Sequence, residues 1–294
     1  MSTEKLTGYN WIKLSIMDKL FTFNEIRQAM KVVKDFKKGF LTNFFPEVDK
    51  TNGWIEHGKL YKLEEEETVF FFRDNNEFTY LFYATTTLEA LNKALNKLKT
   101  MTDETQLVVD IIGKEPEIQA ITGVFKENGF YHYTVLNRMS RESLTVDDIN
   151  IAKGLKLSDT SCAPIILNIL NQYFDPIAEQ LPTIEEINRW INSNHLIILE
   201  EDNIILGFVI FDLIGITSYL RYWFVHPEHR NRKVGSHLLN EYFKRSTGTK
   251  RQLFWVIKTN ENAIKRYMHY GFFSENLYDY VLTNKNIQYE ATNN

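Results

Sequence analysis

Within "HPEHRNRKVG", residues 226–235, His226, His229, Arg230, Arg232 and Lys233 crowd together immediately before a helical pattern. Pro227 has no N–H to give to a sheet. From Val234 the apolar residues Val234, Leu238, Leu239, Tyr242 and Phe243 recur at the spacing of one helical face. Unpaired N–H groups at a helix start, ringed by cations, favour an anion and most naturally a phosphate. His226 and His229 have a spacing found in metal sites, but no third ligand is evident, so the pair reads as a solvated loop and no metal is expected. Cys162 has no sequence-local base and reads as structural. Carboxylates that could accept a proton are scattered: Glu200 and Glu201 near a turn, Asp212 in a strand and Asp279 in the last strand, with none standing out. Asp175, Glu179, Glu185 and Glu186 read as a charged helical surface, with a weak bias toward a cationic acceptor.

The elements that must position these groups repeat along the chain. Tyr222–Val225 is aromatic and β-branched, as a strand requires. Residues 107–130 and 253–272 each run from an apolar strand through a polar turn and an amphipathic helix to Gly-Phe. Gly129 and Gly271 set the offset at 142 (271 − 129), close to half the chain. Upstream, residues 77–98 pass from strand to helix as residues 218–243 do, with Thr86 and Glu89 suggesting a capping box. "KLYKLEEEETVFFFRD" (59–74) and "HLIILEEDNIILGFVIFDLIG" (195–215) read as hairpins, the second turning at "EEDN", and the Glu64–Glu67 run reads as a solvated strand edge or turn. Helical patterns at 24–36 and 163–174 open the two halves. The expectation is two copies of one α/β fold, residues 1–147 and 148–294, joined near 140–150.

Composition excludes several classes. A net charge of −4 and a pI near 6.0 argue against a nucleic-acid binder, so the basic cluster is a local feature suited to a small polyanion. One cysteine permits no intramolecular disulfide and points to a reducing cytoplasm. No apolar run is long enough to span a membrane, and the first residues lack a signal-peptide pattern.

In these residues the second half resembles the GNAT superfamily of acyl-CoA-dependent N-acyltransferases. The signature Q/R-x-x-G-x-G/A is matched by Arg230-Asn231-Arg232-Lys233-Val234-Gly235, preceded by Val225-His226-Pro227. A second motif, N-x-x-A-x-x-x-Y-x-x-x-G-F, follows after a strand at Gln252–Lys258 as Asn260, Ala263, Tyr267, Gly271 and Phe272. The resemblance covers residues 153–283 and, more loosely, the first half. It implies two tandem α/β domains, each a mixed, mostly antiparallel sheet with a central parallel strand pair splayed apart and flanked by helices. It also implies acetyl-CoA as cofactor, held by Phe224, Val225, Arg230, Asn231, Arg232, Lys233, Val234, Gly235, Ser236, Asn260 and Ala263. Val225 would offer its N–H to the thioester oxygen, and Tyr267 would be the general acid.

Lys233 departs from the pattern, standing where the family has its first glycine; it could still present its N–H from a helical backbone. The first half departs further. "YATTTLEALNKAL" has no glycine or arginine at the cradle, and Phe125 and Ile118 stand in place of Tyr267 and Asn260. That half is expected to be a degenerate copy, kept as scaffold. The implied activity is acetyl transfer to a primary amine of a small-molecule or peptide acceptor. A Fem-type aminoacyl-tRNA-dependent ligase and a non-catalytic acyl-CoA-binding scaffold or sensor are the alternatives. One cofactor per chain and a monomer with an internal pseudo-dimer are expected, with no nucleic acid or membrane as partner.

Overall fold

The computed structural model describes residues 17–75, 77–102, 105–143 and 154–290. The expected boundary at 147/148 lies outside the described residues. Two compact units are present: residues up to Thr134 with Tyr278–Tyr289, and Val135–Leu277. In chain order the elements are β1 (Asp18–Lys19), α1 (Phe23–Asp35), β2 (Leu41–Thr42), α2 (Val48–Glu56), β3 (Leu60–Glu65), β4 (Thr68–Asp74), β5 (Thr79–Thr85), α3 (Leu88–Met101), β6 (Leu107–Gly113), α4 (Glu117–Glu127) and β7 (Tyr131–Glu142). They continue as β8 (Leu155–Leu157), α5 (Ala163–Tyr173), α6 (Ile184–Asn192), β9 (Leu196–Glu201), β10 (Ile204–Ile214), β11 (Thr217–Val225), α7 (Val234–Arg245), β12 (Arg251–Ile257), α8 (Glu261–His269) and β13 (Phe273–Thr283).

The first unit orders its strands β1-β3-β4-β5-β6-β13, and β2 pairs with β5. The second orders them β7-β12-β11-β10-β9-β8. Each unit has one parallel pair among antiparallel neighbours, and that pair parts early. β5 meets β6 only at Thr79–Tyr80. β11 meets β12 only from Thr217 to Tyr219. This is the mixed α/β architecture expected, twice over. The units are not contiguous in sequence, however. Leu136–Glu142 of β7 pairs with β12, and Tyr278–Thr283 of β13 pairs with β6. Each half of the sequence thus contributes its last strand to the other unit, so no single cut reproduces them.

Local chemistry accounts for the elements. Gly129 and Gly271 follow α4 and α8 with φ of +87° and +83°, the left-handed helix ending that glycine adopts without a Cβ penalty. Asp202 and Asn203, both at positive φ, form the two-residue turn between β9 and β10. Thr87, not Thr86, caps α3, accepting from Ala90 N–H at 3.1 Å. Thr86 instead donates its hydroxyl to Glu67 at 2.6 Å. The apolar stripe of α7 is buried as its spacing predicts, with Val234, Leu238, Leu239, Tyr242 and Phe243 against Val209, Phe211 and Phe254. On the other face of the same sheet, α5 and α6 pack Ile166, Leu170, Ile187 and Trp190 against Phe208, Tyr222 and Phe224. Among the described residues no helix is long and apolar enough to cross a membrane.

Candidate active site

The candidate site lies where β11 leaves β12. His226 N–H donates to Leu206 O at 2.9 Å, across to β10. Alternate residues of a strand face opposite neighbours, so the N–H of Val225 turns toward β12, beyond the last pair of that ladder. The backbone of Phe224 turns to β10, and its buried ring packs with Tyr173 at 4.9 Å and Phe208 at 5.3 Å. Phe224 is therefore a core residue on the α5–α6 face, and of these two residues it is Val225 whose N–H faces the gap.

After the 3₁₀ turn Pro227–His229 the chain reaches Lys233, the N-cap of α7. Lys233 is left-handed (φ 59°, ψ 11°), not helical as the sequence suggested: it occupies the conformation for which glycine would be the natural residue. The first i→i−4 bond of α7 runs from His237 N–H to Lys233 O at 3.1 Å. The N–H groups of Val234, Gly235 and Ser236 precede it, in the turn whose donors a helix cannot satisfy. At Gly235 a Cβ would lie 3.0 Å from Trp223 Cζ2 and 3.3 Å from Val225 Cγ2, so glycine lets the helix start sit against β11. Gly207, opposite Val225, is tighter still. A Cβ there would lie 2.5 Å from Phe224 O and 3.0 Å from Leu238 Cδ1.

The remaining cradle residues divide. Arg230 is half-buried beside the helix start, while Asn231 and Lys233 are exposed. Arg232 turns away, donating to Glu201 at 2.6 Å. Ser236 Oγ accepts from the Tyr270 hydroxyl at 2.9 Å. Asn260 is the N-cap of α8, its Oδ1 accepting from Ala263 N–H at 3.1 Å, and Ala263 packs on the core. His226 and His229 do gain a third neighbour: their ligand atoms and those of Glu228 lie within 4.8 Å of one another. Arg230, Arg232 and Lys233 in the same loop make its field positive, which favours an anion.

Tyr267 lies between Phe254 (3.9 Å) and Trp223 (5.3 Å). Its hydroxyl has no hydrogen-bond partner among the described residues. Burial pushes the phenol well above its usual range, and the charge of Glu179 adds to this, so it remains a proton donor at neutral pH.

The carboxylates singled out from sequence are committed elsewhere. Asp212 accepts from Trp190 Nε1 (2.7 Å) and Arg221 Nε (2.6 Å). Glu200 pairs with Lys156, Glu201 with Arg232. Asp279 belongs to the first unit, where burial and then the charge of Asp110 raise its pKa. Sequence reasoning passed over Glu179 as a base. It lies in the loop between α5 and α6, with Oε2 accepting from Asp175 N–H at 3.0 Å. Burial pushes its carboxyl up to about 7; the bond from Asp175 N–H opposes this and the charge of Asp175 adds to it. The spacing Asp175-Pro176-x-x-Glu179 was the available signal, since Asp before Pro opens a turn whose fifth residue can fold back on its first N–H.

In the first unit the start of α3 borders a groove of about 310 Å³ lined by Lys38, Glu65, Glu67, Thr87, Lys93 and Lys97, among others. Glu67 pairs there with Lys38 at 2.5 Å, besides accepting from Thr86.

Residues 163–272 match the model of the acetyltransferase (GNAT) family. No curated protein matches the sequence. Among solved structures, a tandem GNAT protein from the clavulanic acid biosynthesis pathway superposes with a TM-score of 0.58 at 10% identity, over 91% of this chain and 97% of that one. A GNAT-family acetyltransferase from Colwellia psychrerythraea gives 0.56 at 12% identity, over 91% and 98%. A GCN5-related N-acetyltransferase from Kribbella flavida gives 0.54 at 10% identity, over 87% and 95%. These likenesses show the fold. Residues 163–272 thus carry the sequence pattern of the acetyltransferase (GNAT) family, and the chain as a whole has the fold of a tandem GNAT protein.

Proposed function

We propose that the protein transfers an acetyl group from acetyl-CoA to a primary amine, with cofactor and chemistry in the second unit. The observation that carries this reading is the gap between β11 and β12. Val225 N–H turns into it, and the unsatisfied N-terminus of α7 follows at its end. The cradle fits a pyrophosphate: the amides of Val234, Gly235 and Ser236, the positive end of the helix, Arg230 and the Lys233 ammonium all favour one anion. Asn231 and Arg232 would contribute backbone only, because Arg232 is held by Glu201. Asn260 and Ala263 fix the start of α8, which carries Tyr267.

When bound, acetyl-CoA would supply an activated acyl carbonyl and a thiolate leaving group. Val225 N–H, turned into the gap, would donate to the carbonyl oxygen as negative charge develops there. Tyr267 holds its proton until sulfur becomes basic. A phenol normally near 10, raised further here, can protonate a thiolate of about 8.5 only in concert with C–S cleavage. In the first unit Glu67 places a carboxylate beside the equivalent helix start, which supports one cofactor per chain.

The test is release of coenzyme A thiol when the full chain is given acetyl-CoA and a panel of primary amines. Amine-dependent release is expected. Saturable cofactor binding without release for any amine would contradict the transferase reading in favour of a binding protein.

A further inference from the structure

We infer that Glu179 is the general base of this site and that its acceptor arrives as a compact primary ammonium on an apolar, aromatic-compatible stem. The inference rests on the acyltransferase reading above. Three observations place Glu179 there. The Tyr222 hydroxyl donates to the carbonyls of Glu179 and Gln180, both at 3.2 Å, fastening this loop to β11, the strand that carries Val225. The charge of Glu179 is felt at the Tyr267 phenol, ahead of the opposing charge of Arg266, so the two groups lie within electrostatic reach of each other. Only one carboxylate oxygen is engaged, Oε2 with Asp175 N–H, while Oε1 has no partner among the described residues and is not sealed from solvent.

The environment suits the task. Desolvation, with Asp175 as the nearby like charge, sets the carboxyl near neutrality, where a base can both take and release a proton. Tyr173 and Phe174, half-buried and directly preceding Asp175, pack on Phe224 at 4.9 Å and on Tyr222 at 5.5 Å, so the chain that enters this loop is aromatic. Aromatic faces beside one negative charge recognise an ammonium with an apolar stem. Glu179 takes one proton from the ammonium, and the freed lone pair forms the C–N bond as the C–S bond breaks. Tyr267 gives its proton to sulfur and is restored by the second proton leaving nitrogen. Glu179 returns its proton to solvent, so the products are an amide, a thiol and one proton.

Glu179 also closes the 175–179 turn, and a purely structural role must be separated from a catalytic one. The experiment follows thiol release by the full chain with acetyl-CoA and 2-phenylethylamine between pH 6 and 9, for the wild type, Glu179→Gln and Glu179→Asp. Acetyl-CoA binding is measured in parallel by calorimetry. For the wild type, kcat/KM should rise with pH through an inflection near neutrality and then level. Glu179→Gln should lose at least about 100-fold together with the inflection, at unchanged cofactor affinity, and Glu179→Asp should keep the inflection at a lower rate. A Glu179→Gln enzyme retaining rate or inflection would overturn the assignment. Turnover of other primary amines but not of this probe would overturn the acceptor class. Absence of cofactor binding by the wild type would instead remove the underlying acyltransferase reading.

Discussion

Gly207→Ala probes what holds β10, β11 and α7 together at the working end of the second unit. The added methyl would lie 2.5 Å from Phe224 O, 3.0 Å from Leu238 Cδ1 and 3.1 Å from Val234 Cγ1. Carbon–oxygen contacts settle at about 3.3 Å or more, so β10 must retreat by roughly 0.8 Å from a backbone carbonyl that no rotamer change can move. Overpacking of this kind costs about 1–3 kcal/mol, and replacing a strand glycine recovers about 0.5–1. The expected net loss is about 1–2 kcal/mol, or about 3–8 °C in the melting temperature of a unit this size. Gly123→Ala, in α4 with nothing within 4 Å of the new methyl, is the control and should gain about 1 kcal/mol. Scanning calorimetry of both variants reads the difference, and acetyl-CoA affinity should fall only for Gly207→Ala, since Gly207 sits opposite Val225. A Gly207→Ala protein as stable as the wild type would refute the claim that this contact sets the position of β11.

Lys233→Gly should raise stability by about 0.5–1 kcal/mol by removing a left-handed lysine, seen as a higher urea midpoint at unchanged slope. Glu179 binds a proton more tightly folded (about 7) than unfolded (4.5), so its stabilising protonated form is complete below 4.5 and lost as pH rises through 7. Glu179→Gln should therefore flatten the pH dependence of stability and exceed the wild type at pH 8 by about 2 kcal/mol after allowance for solvent screening; equal slopes would contradict this. A fragment of residues 151–294 lacks the β7 partner of β12 and the β6 partner of β13 and should aggregate or self-associate on size exclusion, whereas residues 135–277, which restore the first and end before the second, should not.

Patterns that depend on one element were legible in the sequence. The buried stripe of α7, the glycines ending α4 and α8, and the Asp202–Asn203 turn each follow from periodicity or from a backbone conformation few residues tolerate. What depends on partners from distant segments was not. The exchange of β7 and β13 leaves no local mark, since either pairing satisfies the same alternation. Arg232 and Asp212 read as free charges because Glu201 and Arg221 reach them only in the folded sheet. Glu179 read as surface charge because its burial comes from the loop folding back under Tyr222.

The central claim is an acyl-CoA cradle at the start of α7 in the second unit alone, and calorimetric titration of the full chain with acetyl-CoA tests it most directly. The account predicts one saturable site per chain, weakened at least about tenfold when Arg230 and Lys233 are both replaced by Gln, as expected for two charge-assisted contacts. No heat of binding at millimolar cofactor, or two equivalent sites per chain, would contradict it.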